Sequence, residues 1–225
     1  VAMTAMFNDR KTPIDTAKRV RAGGVKRYSA TSGEINDGHG YATDTASLTG
    51  VLARSSNIGM CELAWEYYRD RREDLKKGIE EIFPFGQMRP DLKVKEYNTH
   101  VVPLHSDRDF LNLSYGYSAT VSPLQLIAFY NALANGGKMV KPLFCREVME
   151  GGRNRTVKPV VLKDRVCSAE TAKQMREMLV RVVESGTGSN IYNPVYGIGG
   201  KTGTTQGIHD KSKSKIGRAS CRGRV

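Results

Sequence analysis

Gly200-Lys201-Thr202-Gly203-Thr204 sets a lysine among glycines and threonines near the end of the 225-residue chain. That mixture brings an ammonium, hydroxyls and bare backbone N–H groups to bear on an anion. Phosphate is the first anion to test. A Walker A loop needs a glycine five positions before the final Gly-Lys-Thr, and that position is Val195. The residues after Lys201 are rich in glycine and β-branched side chains, a poor start for the helix that a P-loop requires. The dinucleotide fingerprint fails as well, because Gly197 and Gly199 are followed by Thr202 where the third glycine belongs. Some other anion is therefore expected at Lys201. A second group, Ser55-Ser56-Asn57, offers hydroxyl and amide side chains just ahead of a helical pattern. Taken by themselves, Ser55 and Asn57 could simply cap that helix. A Ser-x-Asn triplet arises about once by chance in a chain of this length, so it carries weight only in combination.

Other chemistry is thinly represented. Cys61, Cys145 and Cys167 are single and far apart, and Cys221 lies in the last fifteen residues, so no zinc framework forms. These cysteines read as small core fillers. His39, His100, His105 and His209 read as loop residues, and Met3, Met6, Met175 and Met178 as packing. No metal and no cofactor is expected. The formal charge of +12 invites a nucleic-acid partner, but half of the excess sits in the acid-free stretch from Lys211 to Val225. Its end, "KIGRASCRGRV", resembles the translation of a common sequencing-library adapter. Residues 211–225 are therefore expected to be a non-native or disordered basic tail, outside a domain spanning 1–210, and no nucleic acid is expected to bind.

The positioning elements can be read from caps and periodicity. "VAMTAMF" is apolar all round and predicts a buried helix. Ser122-Pro123-Leu124-Gln125 combines a serine cap, proline at the first helical position and a glutamine three residues on; the helix runs to Asn135-Gly136-Gly137 and is predicted buried. Ser168 opens another helix with a stripe of Ala172, Met175, Leu179 and Val182, closed by Gly186 and Gly188, which read as turn residues. Cys61, Trp65 and Tyr68 mark the core face of the helix after "RSSN". "KPLFCREVME" and "TVKPVVL" predict a hairpin about Gly151-Gly152, and "VYGIGGKTGTT" a strand carrying Lys201. Residues 28–41 and 85–109 read as polar loops. No stretch reaches the apolar length of a membrane helix. The fold class is α+β, an antiparallel sheet packed with helices.

Ser-x-Asn followed by Lys-Thr-Gly gives two of the three signatures of penicillin-interacting serine enzymes. "LSYGYSATVSPLQLIAFYNALANGGKMVKP", "VVESGTG" and "GGKTGTTQ" closely resemble, in order and spacing, the transpeptidase domain of class B penicillin-binding proteins, from about Val1 to about Asp210. The loop after "SSN" resembles the cell-division type of Bacteroidetes-like bacteria. The third signature, S-x-x-K, departs from the pattern. Its sole match is Ser212-Lys213-Ser214-Lys215, after Lys-Thr-Gly instead of before Ser-x-Asn, and it is given no role. "VAMTAMF" resembles the continuation of the family's central helix, so the chain is expected to be a piece of a larger β-lactamase/transpeptidase-like domain. On this reading the nucleophile precedes Val1 and a further strand follows Asp210.

The resemblance implies peptidoglycan D,D-transpeptidase chemistry, serine acyl transfer on D-Ala-D-Ala stem peptides. Ser55 would relay a proton to the leaving amine under the field of Lys201, and Asn57 would hold the substrate amide. Thr202 and Thr204 would meet the terminal carboxylate, the Thr204 N–H would serve the oxyanion, and Gly203 would admit substrate to the strand edge. Implied partners are peptidoglycan stem peptides, β-lactam antibiotics and, for the parent protein, cell-division membrane proteins. The implied location is the periplasmic face of the bacterial inner membrane. The alternatives are a D,D-carboxypeptidase or serine β-lactamase of the same fold, or a catalytically inactive penicillin-sensing or cell-wall-binding module.

Overall fold

The apolar opening segment forms α1 (Ala2–Asn8), with Met3, Thr4, Ala5 and Met6 all buried. The structure, a computed structural model, describes residues 1–38, 42–86, 88, 99–205, 216–220 and 223–224; from Thr204 onward only the backbone is described. After α1 come β1 (Arg19–Ala22), β2 (Val25–Arg27), β3 (Glu34–Asn36) and β4 (Asp44–Ser47). They form two antiparallel ladders, β1 with β4 and β2 with β3. Residues 28–41, expected to be a loop, thus contribute a strand: Ile35 alternates inward between Glu34 and Asn36, too short a pattern to stand out in the sequence. His39 lies outside the described residues.

Two helices then meet at an elbow, α2 (Leu48–Ala53) and α3 (Asn57–Tyr68). Gly59 makes the elbow tight, since a Cβ there would stand 2.5 Å from a methyl of Val51. In α3, Cys61 and Tyr68 are buried as expected and Trp65 is half-buried. Next comes α4 (Arg72–Ile82), which buries Leu75, Ile79 and Ile82 and carries Glu73 and Asp74 in its first turn, where the helix dipole favours them. The expected loop at 85–109 is only partly described, because 87 and 89–98 lie outside the described residues. Its far end is ordered as β5 (His100–Val101) and as the first turn of α5 (Asp107–Tyr115), which begins at a Ser106/Asp109 capping box. β5 pairs with β6 (Ala119–Thr120).

α6 (Pro123–Ala134) has the cap that the sequence announces: Ser122 Oγ accepts from Gln125 N, and Gln125 Oε1 accepts from Ser122 N at 2.8 Å. Only one face of α6 is deeply buried, and Ile127 is 59% exposed. The apolar residues around its circumference overstated its burial. β7 (Met139–Val140), β8 (Glu147–Glu150), β9 (Arg153–Thr156) and β10 (Val161–Lys163) follow. The hairpin about Gly151-Gly152 is β8 with β9, shorter than the sequence predicts, while "VVL" leaves it to pair with β7 as β10. Both glycines have positive φ, +57° and +76°, as a two-residue hairpin turn with matching twist requires. Cys145 is exposed ahead of β8 and fills no core space; Cys61 and Cys167 are buried.

α7 (Ala169–Ser185) packs its expected stripe against α2 and α6. A short 3₁₀ turn, Ser189–Ile191, leads to β11 (Ile198–Gly199), β12 (Thr202–Thr205), β13 (Ile216–Ser220) and β14 (Gly223–Arg224). β12 pairs with β13 and β11 with β14. Part of the expected tail therefore runs along this edge, a pairing that needs only extended backbone beside an open strand. All the ladders among the described residues are antiparallel pairs, set around a helical core in which α1 contacts α4, α5 and α7. No helix among the described residues is long and apolar enough to cross a membrane.

Gln125 is fully buried and ties three segments together. Besides its cap bond, its Nε2 donates to Gly86 O at 2.7 Å and to Thr99 Oγ1 at 2.6 Å. Gln125→Met keeps the volume and strands those polar partners, so urea unfolding should show a loss of roughly 1–3 kcal/mol.

Candidate active site

The elbow between α2 and α3 is built from a helix stop and a helix start that share Ser55 and Ser56. Ser55 N–H donates to Leu52 O at 3.1 Å and Ser56 N–H to Val51 O at 2.9 Å. That double bond pattern closes a helix in a Schellman turn, whose left-handed position usually belongs to glycine. Here it belongs to Ser55, at φ +55°, the one non-glycine residue with positive φ among those described. A serine held there costs about 1 kcal/mol relative to glycine, and such outliers gather where a side chain is needed for function. The helix start is capped by Ser56, whose Oγ accepts from Gly59 N at 2.9 Å. Capping therefore falls to Ser56, not to Ser55 or Asn57.

Asp37, the residue immediately after Asn57's partner strand β3, holds the elbow in place. Its carboxylate accepts from Ser56 Oγ at 2.6 Å, Ile58 N at 2.9 Å and Gly23 N at 2.8 Å. From the other side Arg54 grips Asp44 with one nitrogen, 2.7 and 2.8 Å from the two carboxylate oxygens. Asn57 Nδ2 donates to Asn36 O at 2.9 Å, which fixes the amide plane and leaves its oxygen outside that bond. Sequence reasoning missed Asp37. It lay in a segment read as loop, and its partners Ser56 and Ile58 are distant in the chain.

Lys201 meets this elbow from the opposite element. It lies between β11 and β12, not within a strand, and its Nζ is 2.5 Å from Ser55 Oγ and 3.0 Å from Thr202 O. Burial pushes its pKa down to about 8. Gly200 N–H donates to Leu179 O at 3.1 Å, fastening this stretch to α7. Thr202 is half-buried, with its Oγ1 2.8 Å from Thr187 Oγ1, and Gly203 is exposed on the strand. Thr204 continues the backbone of β12 opposite Arg218. The structure thus puts Ser55 and Lys201 in contact, sets Asn57 on the same turn, and lines up Thr202, Gly203 and Thr204 along one strand. An ammonium this close to a hydroxyl favours its deprotonation, and a partly dehydrated lysine near pH 8 can exchange protons with it.

A helical elbow thus faces a lysine beside a strand edge, on a mixed α and β frame. A family model described as penicillin binding protein transpeptidase domain matches residues 4–220, and the chain belongs to that family. It is similar to Stage V sporulation protein D of Bacillus subtilis, 34% identical over 178 residues, covering 77% of this chain and 26% of that protein. It is also similar to the penicillin-binding protein PbpB of Mycobacterium tuberculosis, at 32% over 185 residues (78% and 26%). The probable peptidoglycan D,D-transpeptidase FtsI of Caulobacter vibrioides matches at 31% over 206 residues (91% and 31%). The chain spans about a quarter to a third of the length of these relatives. Among solved structures, penicillin binding protein 3 of M. tuberculosis with aztreonam superposes with a TM-score of 0.76 at 25% identity, over 96% of this chain and 48% of that one. Penicillin-binding protein A of the same organism, as its ceftriaxone acyl-enzyme complex, shares the fold at a TM-score of 0.77 and 18% identity (93% and 47%).

Two outcomes follow from the geometry. Ser55→Gly and Ser55→Ala both remove the hydroxyl that accepts from Lys201, but only glycine relieves the left-handed strain, so Ser55→Gly should be more stable than Ser55→Ala by about 1 kcal/mol in a urea titration. Lys201 titrates near 8 when folded against 10.5 in the ordinary state. Below pH 8 it is charged in both states; from 8 to 10.5 the unfolded chain binds more protons, so this group's contribution makes stability rise with pH. The difference between wild type and Lys201→Met, measured at pH 7 and pH 10, should show that rise in the wild type alone.

Proposed function

We propose that this chain is the core of a peptidoglycan D,D-transpeptidase, in a parent protein anchored in the bacterial inner membrane with this domain in the periplasm. The observation that carries the reading is the contact between Lys201 Nζ and Ser55 Oγ at 2.5 Å, with the lysine's pKa lowered to about 8. In the parent, the serine of the family's S-x-x-K motif attacks the penultimate D-Ala carbonyl of a stem peptide. The new serine ester bond forms as the C–N bond breaks; the serine's proton travels by way of Ser55, under Lys201, to the departing D-alanine amine. Backbone N–H groups, that of Thr204 among them, receive the oxyanion. Thr202 and Thr204 meet the terminal carboxylate, Asn57 accepts from the substrate amide through its free oxygen, and Gly203 admits the peptide to the strand edge. An acceptor amine then takes the acyl group and makes the cross-link. A β-lactam follows the same first step, with its leaving nitrogen still tethered, so the ester persists.

Relatives named FtsI and a relative named for sporulation support a division-type role, with cell-division membrane proteins as partners. The carboxypeptidase and β-lactamase alternatives differ only in using water as acceptor. Incubating the parent with a D-Ala-D-Ala peptide and an amine acceptor separates them: a cross-linked product supports the proposal, and hydrolysis alone overturns it.

Fluorescent penicillin should label the parent stoichiometrically and leave the 225-residue chain unlabelled, because its sole S-x-x-K lies after Lys-Thr-Gly. Lys201→Ala in the parent should slow labelling by roughly a hundredfold or more, by analogy with the loss of one preorganised stabilising group. Near-normal labelling of that variant would dismiss the role given to Lys201.

A further inference from the structure

The "ESGTG" segment, residues 184–188, carries the end of α7 into the chain beyond it. Its backbone is pressed against the α2–α3 elbow. A Cβ on Gly186 would stand 2.3 Å from Ala53 O, so only glycine lets the chain lie there. Thr187 N–H donates to that same carbonyl at 2.9 Å, two residues before Ser55. The side chain of Thr187 goes to the other element, with its Oγ1 2.8 Å from Thr202 Oγ1. One half-buried residue thus spans from the Ser55 turn to the strand that follows Lys201.

Proton accounting decides the direction of that hydroxyl contact. A threonine hydroxyl has one proton to give and two lone pairs to receive. A carboxylate only accepts, so any threonine that binds one must spend its proton there. Lys201 Nζ, also a donor, lies 3.5 Å from Thr202 Oγ1. With Thr187 and Lys201 both directing protons at the lone pairs of Thr202, its own O–H is left free to point outward. We infer that Thr187 is a positioning residue: it donates to Thr202 and so aims the Thr202 proton at the carboxylate of the bound peptide or β-lactam. The inference rests on the reading above, in which Thr202 meets that carboxylate.

The test compares acylation of the full-length parent by benzylpenicillin and by its methyl ester, in which the anionic carboxylate is capped. Thr187→Val removes the donor at nearly constant volume and should slow acylation by the acid about tenfold, the worth of one charge-linked hydrogen bond. Thr187→Ser should restore the rate to within about twofold, and the ester should react equally with wild type and Thr187→Val. Adding Thr202→Val to Thr187→Val should cost little more than Thr202→Val alone, because the two act in series. An equal loss with acid and ester would make Thr187 merely structural and overturn the inference while leaving the transpeptidase reading intact. No loss with either would also overturn it. A wild-type parent that neither compound acylates would refute the underlying reading, and the inference with it.

Discussion

A serine in left-handed backbone, held against a half-buried lysine, is the constraint on which the site depends. Ser55 can occupy that conformation only because the bonds on either side over-determine it: two backbone bonds close α2, and Ser56 and Asp37 open α3. The contact with Lys201 requires in turn that the start of β12 be fixed against both α7 and the elbow: Gly200 donates to Leu179 O of α7, while Thr187 donates to Ala53 O of α2 and its hydroxyl meets that of Thr202. Loss of either support would move the hydroxyl or the ammonium by more than a hydrogen bond tolerates. The surrounding core, with α1 packed on α4, α5 and α7, makes those two supports rigid relative to each other.

The electrostatics follow from the same packing. Among the described residues no carboxylate pairs with Lys201, and burial lowers its affinity for a proton. The charges that do pair near the elbow, such as Arg54 with Asp44, lie on its outer side and stabilise the scaffold instead. Segregating paired charge from this lysine leaves the inner side with a net attraction for an anion.

Glycines mark the places where segments must approach closely for this to work. Gly59 admits Val51, and Gly186 lies against Ala53 O. Neither appears in the Ser-x-Asn or Lys-Thr-Gly signatures, yet each brings an element of the site within contact distance of its neighbour.

The caps of α6 and α7, the buried opening helix and the turn at Gly151-Gly152 were legible in the sequence because each depends on residues within about one helical turn or hairpin. Residues 28–41 and the pairing of "VVL" were not, since β3 and β10 are short and take their strand form from partners elsewhere in the chain. At the site, the residue types Ser55, Asn57 and Lys201 could be named from their motifs and family resemblance alone. Which serine caps α3, that Asp37 braces the elbow and that Thr187 reaches Thr202 were decided only by the tertiary structure. Composition and short spacing record chemistry that is local in the chain. Hydrogen bonds between residues fifteen to 146 positions apart leave no such trace, because only the folded core brings their atoms within reach.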